Sequence, residues 1–416
     1  MGRVAKLIFV SADNHNKFYD MVENPDGSIT STWGRVDVTS TVTHYPVGKR
    51  KWETLIKSKL KKGYVDMTEL RSVEAIKSDF SVIGMPAVAA IVTELQAFAN
   101  KSVQQNYTIS SEAVTPQMVV AAQAVMDDLV PLLVVGKGTE VINDKLLELY
   151  RVIPRKMKKV QYHLIDEQNP QMKDMPVDCI TSRNLVEVQR LIANEQATLD
   201  VMGGQVNVAT AQKQTSGPNK QATILDAMGL GIEIPSDGDI QVIRKFLGHN
   251  SNQYKKAFRI INKRTQDKFN KAVNNSKNKT IQTYWHGSRN ENWWNIIDSG
   301  LLIRPSNVVL TGSMFGTGCY GADKAQKSIG YCSLSGSYWA RGNSRKGFLA
   351  LFDFHVGSQL HVKRHESWMY SLDYNNLRKR GEYDSLFAHG GADLRNNEFI
   401  VYKPDQTTIK YLVEIG

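Results

Sequence analysis

Tyr284-Trp285-His286-Gly287-Ser288-Arg289 opens a series of four short segments in the last third of the chain that decides its reading. Met314-Phe315-Gly316-Thr317-Gly318-Cys319-Tyr320-Gly321-Ala322-Asp323-Lys324 follows, then Lys327-Ser328-Ile329-Gly330-Tyr331-Cys332, and last Asn397-Glu398-Phe399-Ile400-Val401-Tyr402. Around them KAFRII, GFLALFDFHV, EFIVYK and KYLVEI read as strands among glycine-rich turns, so the chain after about residue 228 is expected to be a mixed α+β domain. Gly316, Gly318 and Gly321 match the G-x-G-x-x-G fingerprint of dinucleotide folds. That fingerprint needs a strand before it, a helix after it and an acid about twenty residues on. Around Trp339-Ala340-Arg341 there is no acid, and the sequence does not continue as alternating strand and helix, so a doubly wound sheet is set aside.

Upstream, the period is helical over 86–227. Thr115-Pro116 is an N-cap with proline at the first helical position, followed by an apolar face of Met118, Val119, Ala122, Val125, Met126 and Leu129. Leu185, Val188, Leu191, Ile192 and Leu199 make a second such face, and both read as bundle core. Ala211–Gln221, polar with Gly-Pro, reads as an exposed loop. Residues 1–78 read as short alternating strands broken by Asn24-Pro25-Asp26-Gly27, a hairpin turn, and then one helix with Trp52, Leu55, Ile56 and Leu60 as its apolar stripe. Gly63 stops that helix.

With 416 residues, 41% hydrophobic and 22% charged, the chain suits several globular domains and neither a disordered nor a fibrous protein. No apolar run is long enough to span a membrane and no secretory signal is evident at the start, so an intracellular protein is expected. Cys179, Cys319 and Cys332 are too scattered for a disulfide framework or a zinc site, and no metal is expected. Cys319 reads as a small buried hydrophobe rather than a nucleophile. The net charge of +11 favours a polyanionic partner. Lys49, Arg50, Lys51, Lys57, Lys59, Lys61 and Lys62 concentrate it in a stretch with one acid, Glu53.

Taken in order, the four C-terminal segments resemble the catalytic domain of the poly(ADP-ribose) polymerases, diphtheria-toxin-like ADP-ribosyltransferases with a His-Tyr-Glu constellation. The resemblance covers roughly residues 228–416. It implies that NAD is a consumed substrate and that no recycled cofactor is needed. Cleavage of the nicotinamide–ribose bond passes through an oxocarbenium-like state that calls for negative charge near the sugar. By resemblance, Glu398 binds the ribose 2′-hydroxyl and polarises an acceptor hydroxyl, and His286 fixes the adenosine-side ribose. Gly287 and Ser328 hold the nicotinamide carboxamide, Tyr320 and Tyr331 sandwich its ring, and Asn292 and Lys327 match further pocket positions. His286, Tyr320 and Glu398 are the implied catalytic set.

Thr32-Trp33-Gly34-Arg35-Val36, with Lys-Arg-Lys-Trp and Lys-Lys-Gly-Tyr after it, is similar to the WGR domain, in which Trp33 stacks on an exposed sugar or base and Arg35 binds phosphate. Lys49, Arg50 and Lys51 extend that expected nucleic-acid surface. Residues 86–227 resemble the helical regulatory domain of the DNA-dependent members, best at Asn100–Leu133 and Leu146–Pro154. The expected organisation is therefore 1–78 WGR, 86–227 all-α helical bundle and 228–416 transferase, a compact form without zinc fingers. DNA ends or nicks are the expected partners and proteins, nucleic-acid ends or the chain itself the acceptors. The expected location is the nucleus of a eukaryotic host, or the cytoplasm and nucleoid of a prokaryotic or viral one. The short interval from Tyr383 to Glu398 trims the acceptor-side loops, which leaves poly and mono transfer both open. A non-catalytic nucleic-acid-end binder and an NAD glycohydrolase are the alternatives.

Overall fold

Alternating apolar residues and one tight turn fix the beginning of the chain. Asp26 accepts from the Ser28 amide at 2.9 Å and Gly27 takes φ +82°, a conformation that glycine adopts without strain. The turn joins β2 (His15–Glu23) to β3 (Ile29–Arg35). With β1 (Val4–Ser11), β4 (Thr41–Tyr45) and β5 (Val65–Asp66) they form one sheet in the order β4-β3-β2-β1-β5. Helix α1 (Trp52–Leu60) places Trp52 on Ala5, Leu7, Tyr19, Met21 and Ile29. Leu60, expected in the apolar stripe, is 43% exposed. Lys59 turns inward instead, its Nζ 3.8 Å from the centre of the Tyr19 ring, because a long aliphatic stem can cover an aromatic face while the ammonium stays near water.

The computed structural model describes residues 2–69, 84–107, 114–215, 223–304 and 314–416. Residues 70–78 of the expected first domain and 216–221 of the expected loop lie outside them. The chain divides into two compact units, Met1–Lys77 with Ser102–Val206, and Ser78–Lys101 with Asn207–Gly416. The helices that follow the sheet are α2 (Pro86–Asn106), α3 (Pro116–Leu129), α4 (Glu140–Val152) and α5 (Leu185–Thr215). The Thr115 side chain accepts from the Met118 amide at 3.1 Å, as its N-cap position requires. The expected loop at Ala211 is a correction: α5 continues to Thr215 and Ala211 is buried, because Val206, Val208 and Ala211 extend the apolar face that the polar neighbours conceal.

In the first unit β1 is buried on both faces, Ala5 and Leu7 under α1 and Ile8 and Val10 on the other side. Arg151 of α4 donates to the Val10 carbonyl at 3.1 Å, and Asn16 of β2 donates to the Arg155 carbonyl at 3.1 Å. Arg155 in turn pairs with Glu195 of α5 at 3.1 Å, both side chains nearly inaccessible. Burial raises the Glu195 carboxyl above its ordinary range, with the Arg155 charge pulling the other way.

The second unit is built on two sheets. The first, in the order β6-β7-β14-β10-β8, comprises β6 (Leu230–Glu233), β7 (Tyr254–Asn262), β8 (Ile281–Gly287), β10 (Gly347–His355) and β14 (Thr407–Ile415). The second, β11-β12-β13-β9, comprises β9 (Cys319–Gly321), β11 (Gln359–Val362), β12 (Ser385–Ala388) and β13 (Glu398–Val401). Strand β10, between β14 and β8, is buried on both sides: Phe348, Ala350, Phe352 and Phe354 face one core, Leu349 and Leu351 another. Val88, Ile91, Val92 and Leu95 of α2 and Val208 and Ala211 of α5 pack into the first of these cores.

Burial, with the Arg155 charge adding to it, pushes the His163 imidazole from its ordinary 6.5 down to about 4. The unfolded chain therefore takes up this proton first on acidification, so this contribution to stability is full above about pH 6.5 and is lost as pH falls toward 4. Denaturant unfolding should show His163→Gln losing less stability than the parent between pH 7 and pH 4; the Tyr150 hydroxyl, which donates to the backbone carbonyl of residue 163 at 2.8 Å, keeps its partner in that variant.

Candidate active site

The two sheets of the second unit meet where the amide of Trp285 donates to the Ala322 carbonyl at 2.8 Å and the amide of Ala322 returns the bond at 2.9 Å. Trp285 is fully buried and donates its indole N–H to the Phe246 carbonyl at 3.0 Å. It is packing, and so is Phe315, 1% exposed. The junction fixes the next residue: His286 Nδ1 lies 3.0 Å from the carbonyl oxygen of Tyr320. A carbonyl only accepts, so Nδ1 carries the hydrogen and Nε2 is left as an acceptor. Burial lowers the pKa of this ring, the Tyr320 hydrogen bond opposing it, and the neutral form is favoured.

Gly287 has no room for a side chain. A Cβ there would stand 1.9 Å from the Ser328 carbonyl oxygen, on the helix labelled α10 (Ala325–Ile329). Backbone contact therefore sets Ser328, 4% exposed, directly against the end of β8. One residue earlier on α10, Lys327 Nζ is 2.5 Å from Glu398 Oε1, and the two side chains are only 14% and 13% exposed. The same ammonium lies 3.4 Å from the Asn396 carbonyl. Glu398 heads β13, and two residues on Ile400 pairs with Tyr320, so Glu398 and Tyr320 rise from the same face of the second sheet. The Tyr320 hydroxyl donates to the Gly316 carbonyl at 2.8 Å.

The contacts close a ring: His286 to Tyr320, Tyr320 through β13 to Glu398, Glu398 to Lys327, and Ser328 back to Gly287. Tyr331 follows on the same turn, 40% exposed, its phenol pushed up to about 12 by burial and then by the Glu398 charge, so it stays protonated. Asn292 reaches the edge of this group, donating to the Ser288 hydroxyl at 2.9 Å.

The glycines of the G-x-G-x-x-G match have another purpose. Gly316, at φ +75°, lies against the backbone of Leu372; Gly318 lies against Ile400 and Val401; Gly321 lies between Tyr284 and Phe354. They allow β9 to pack and form no phosphate cradle. Cys319 beside them is buried and its thiol is pushed up to about 12 by burial, which leaves no thiolate at neutral pH.

Of the residues singled out in the first unit, Trp33, Lys49, Arg50 and Lys51 are exposed and Arg35 is bonded back into the chain. Trp33 is 40% exposed and donates its indole N–H to Thr43 at 3.1 Å. Arg35 turns inward, donating to the Asn14 carbonyl at 2.7 Å, to the Asn14 side chain at 2.9 Å and to the Lys158 carbonyl at 3.3 Å. Lys49, Arg50 and Lys51 stand exposed in the turn before α1. The cation near Trp33 is one that the sequence reading named only as part of the basic stretch: Lys59 Nζ, 6.0 Å from its ring centre and 5.5 Å from that of Tyr64. Its place on the buried side of α1 was concealed by the run of lysines around it.

Around this carboxylate, imidazole and glycine–serine corner the comparisons place an NAD⁺ ADP-ribosyltransferase. Residues 240–416 match the Poly(ADP-ribose) polymerase catalytic domain. The chain is 31% identical over 170 residues to the poly [ADP-ribose] polymerase-like protein 100L of Invertebrate iridescent virus 6, covering 39% of this chain and 87% of that one. Protein 101L of the same virus is 29% identical over 221 residues, 53% of this chain and 83% of that one. The human Poly [ADP-ribose] polymerase 2 is 29% identical over 155 residues, 32% of this chain and 26% of the human protein. This chain belongs to the poly(ADP-ribose) polymerase family. Among the described residues no helix is long and apolar enough to cross a membrane.

Gly287→Ala tests the corner. The added methyl must displace Ser328 by well over an ångström, and kcat/KM for NAD should fall about 100-fold, a loss typical of misplacement on that scale. Steady-state nicotinamide release measures it, with the melting temperature as the folding control.

Proposed function

We propose that this chain is a DNA-responsive ADP-ribosyltransferase, and the observation that carries the reading is the Lys327–Glu398 pair set beside the Gly287–Ser328 corner. In this reading Gly287 and Ser328 hold the carboxamide of NAD and Tyr320 and Tyr331 flank the nicotinamide ring. The Nε2 atom of His286 accepts a hydroxyl of the adenosine-side ribose. Glu398 accepts the 2′-hydroxyl of the nicotinamide ribose. The bond from C1′ to the nicotinamide nitrogen breaks, nicotinamide leaves with the bonding pair, and the carboxylate stabilises the positive sugar left behind. An acceptor nucleophile then bonds to C1′ and gives up its proton as it does so. Lys327 aims the carboxylate; Asn292 secures the Gly287 edge through Ser288. NAD is consumed, and the acceptor is the chain itself, another protein or a nucleic-acid end, with one unit or several transferred.

The nucleic-acid response belongs, in this proposal, to the first sheet acting as a WGR domain. Trp33 offers a half-open ring with Lys59 above it, which suits stacking at a strand end, and Lys49, Arg50 and Lys51 add salt-sensitive attraction. Arg35 acts there by shaping the Asn14 turn. The helices act as the regulatory element. In the second unit Glu94 of α2 pairs with Lys346 at 2.5 Å, and Asn207 of α5 donates at 2.6 Å to Asp298, a side chain of α9 (Trp293–Ser299) with no exposed surface. Both helices also run through the first unit, so a loosening begun there can reach these two contacts along the chain.

Labelled NAD supplied with and without nicked DNA tests the activity. Label on macromolecules supports transfer, free ADP-ribose identifies a glycohydrolase, and no turnover identifies a binder. Glu398→Gln keeps shape and removes charge, so turnover should drop at least about 100-fold with NAD affinity changed only several-fold, because the lost interaction is made mainly in the transition state. Normal turnover in this variant would remove Glu398 from the mechanism. For regulation, Glu94→Gln combined with Asn207→Ala should raise turnover without DNA and shrink the stimulation by nicked DNA. Unchanged basal turnover would leave the helices as a structural spacer.

A further inference from the structure

Residues 334–344 form a closed loop tied to both nicotinamide-side segments of the site and crowned by aromatic rings. Its ends are bridged, Leu334 with Ser344 and Ser335 with Gly342. The amide of Gly342 donates to the Ser337 hydroxyl at 2.8 Å and that of Arg341 to the Ser337 carbonyl at 3.1 Å. The amides of Trp339 and Ala340 both donate to the Gly330 carbonyl at 2.9 Å, and the Arg289 guanidinium donates to the Ala340 carbonyl at 3.3 Å. The loop is thus internally bonded and anchored on the turn of Ser328–Tyr331 and on the residue after Gly287-Ser288.

On this base stand Tyr338, 76% exposed, and Trp339, 61% exposed. They meet edge to face at 4.7 Å between ring centres, and Trp339 lies nearly parallel to Tyr331 at 6.2 Å. One exposed ring needs no explanation, but adjoining exposed rings on a rigid loop are a platform. The charges of the segment that carries the loop have one sign. From Lys324 to Phe352 the sequence holds Lys324, Lys327, Arg341, Arg345 and Lys346 and no acid. Lys327 and Lys346 are taken up by Glu398 and Glu94, while Arg341 and Arg345 are exposed, with Arg289 exposed beside them.

We propose that the Tyr338–Trp339 loop is a binding surface for single-stranded nucleic acid on the catalytic unit, separate from the first sheet. The rings supply faces on which bases stack whatever their sequence, and Arg289, Arg341 and Arg345 receive the phosphates. A protein partner with an apolar anchor would also accept rings, but it gives no reason for exposed arginines in a segment without acids. A duplex hides its base faces and is disfavoured on the same ground.

The test uses the full chain carrying Trp33→Ala, so that the first unit does not mask the result, and a fluorescein-labelled oligo(dT) of about 12 nucleotides, within the span of known single-strand sites. Anisotropy should show that adding Tyr338→Ala and Trp339→Ala weakens binding at least about 10-fold, as the loss of stacking on two rings requires. Tyr338→Phe with Trp339→Phe, which keeps two stacking faces, should restore most of it. Arg341→Ala should lower the slope of log affinity against log salt by about 0.7. A bromouracil-substituted probe should cross-link to the 334–344 peptide. Affinity within twofold of the parent in the double alanine variant overturns the proposal. So does a loss that the double phenylalanine variant fails to rescue. Sedimentation showing that the parent self-associates and the alanine variant does not would assign the rings to a second copy of the chain, and overturns it equally.

Discussion

The absence of a side chain at Gly287 allows the Ser328 carbonyl to sit where a Cβ would be, and the rest of the catalytic unit is arranged around that contact. A helix that approaches a strand end so closely has little freedom to slide or turn. Residues on α10 consequently inherit fixed directions, Lys327 toward β13 and Ser328 toward β8, and the turn after it carries Tyr331. On the opposite side the reciprocal Trp285–Ala322 bonds lock β8 to the chain just past β9. His286, between these two constraints, can hold only one tautomer and one orientation. Sites that stabilise a developing charge depend on such advance fixing, because no reorganisation is then needed at the moment of reaction.

The Lys327–Glu398 pair is likewise fixed in direction, and stability alone does not account for it. Two charges withdrawn this far from water lose several kcal/mol of hydration each, which their attraction recovers only in good geometry. An apolar pair of similar volume would hold the fold as well. What an ion pair adds, in the proposed reaction, is a carboxylate held in one direction by the Lys327 ammonium. The Arg155–Glu195 pair of the first unit lies deeper still, with the guanidinium 5.3 Å from the centre of the Tyr107 ring. It serves there to bind the segment after α4 to α5, with Asn16 attached through the Arg155 backbone.

Much of this was readable from the residues. The four segments come together in the second unit, and the strands KAFRII, GFLALFDFHV, EFIVYK and KYLVEI correspond to β7, β10, β13 and β14. Local signals such as the Thr115 cap and the Asp26-Gly27 turn read correctly because their physics is local. What escaped is set by distant contacts. Nothing in Arg35 itself says that its guanidinium closes on Asn14 rather than facing outward; the partner lies across a turn and another at Lys158. Lys59 cannot be told from its neighbouring lysines until the sheet supplies Tyr19 beneath it. The end of α5 reads as loop because polar composition outweighed an apolar face that acquires its meaning only from the core it enters.

The same reasoning explains why one family motif was nearly misleading. Three glycines at the spacing of a dinucleotide fingerprint look like a device for approaching phosphate, since glycine permits any close backbone approach. In this chain the approaching groups are Leu372, Ile400 and Val401, Tyr284 and Phe354. The glycines bring β9 into contact with β13 and with the aromatic face of β10, and so deliver the Tyr320 carbonyl to His286. Glycine spacing thus reports close packing, and only the residues that come close determine whether the result is a ligand cradle or a strand junction. Here it is a junction, and what it fixes is the direction of His286.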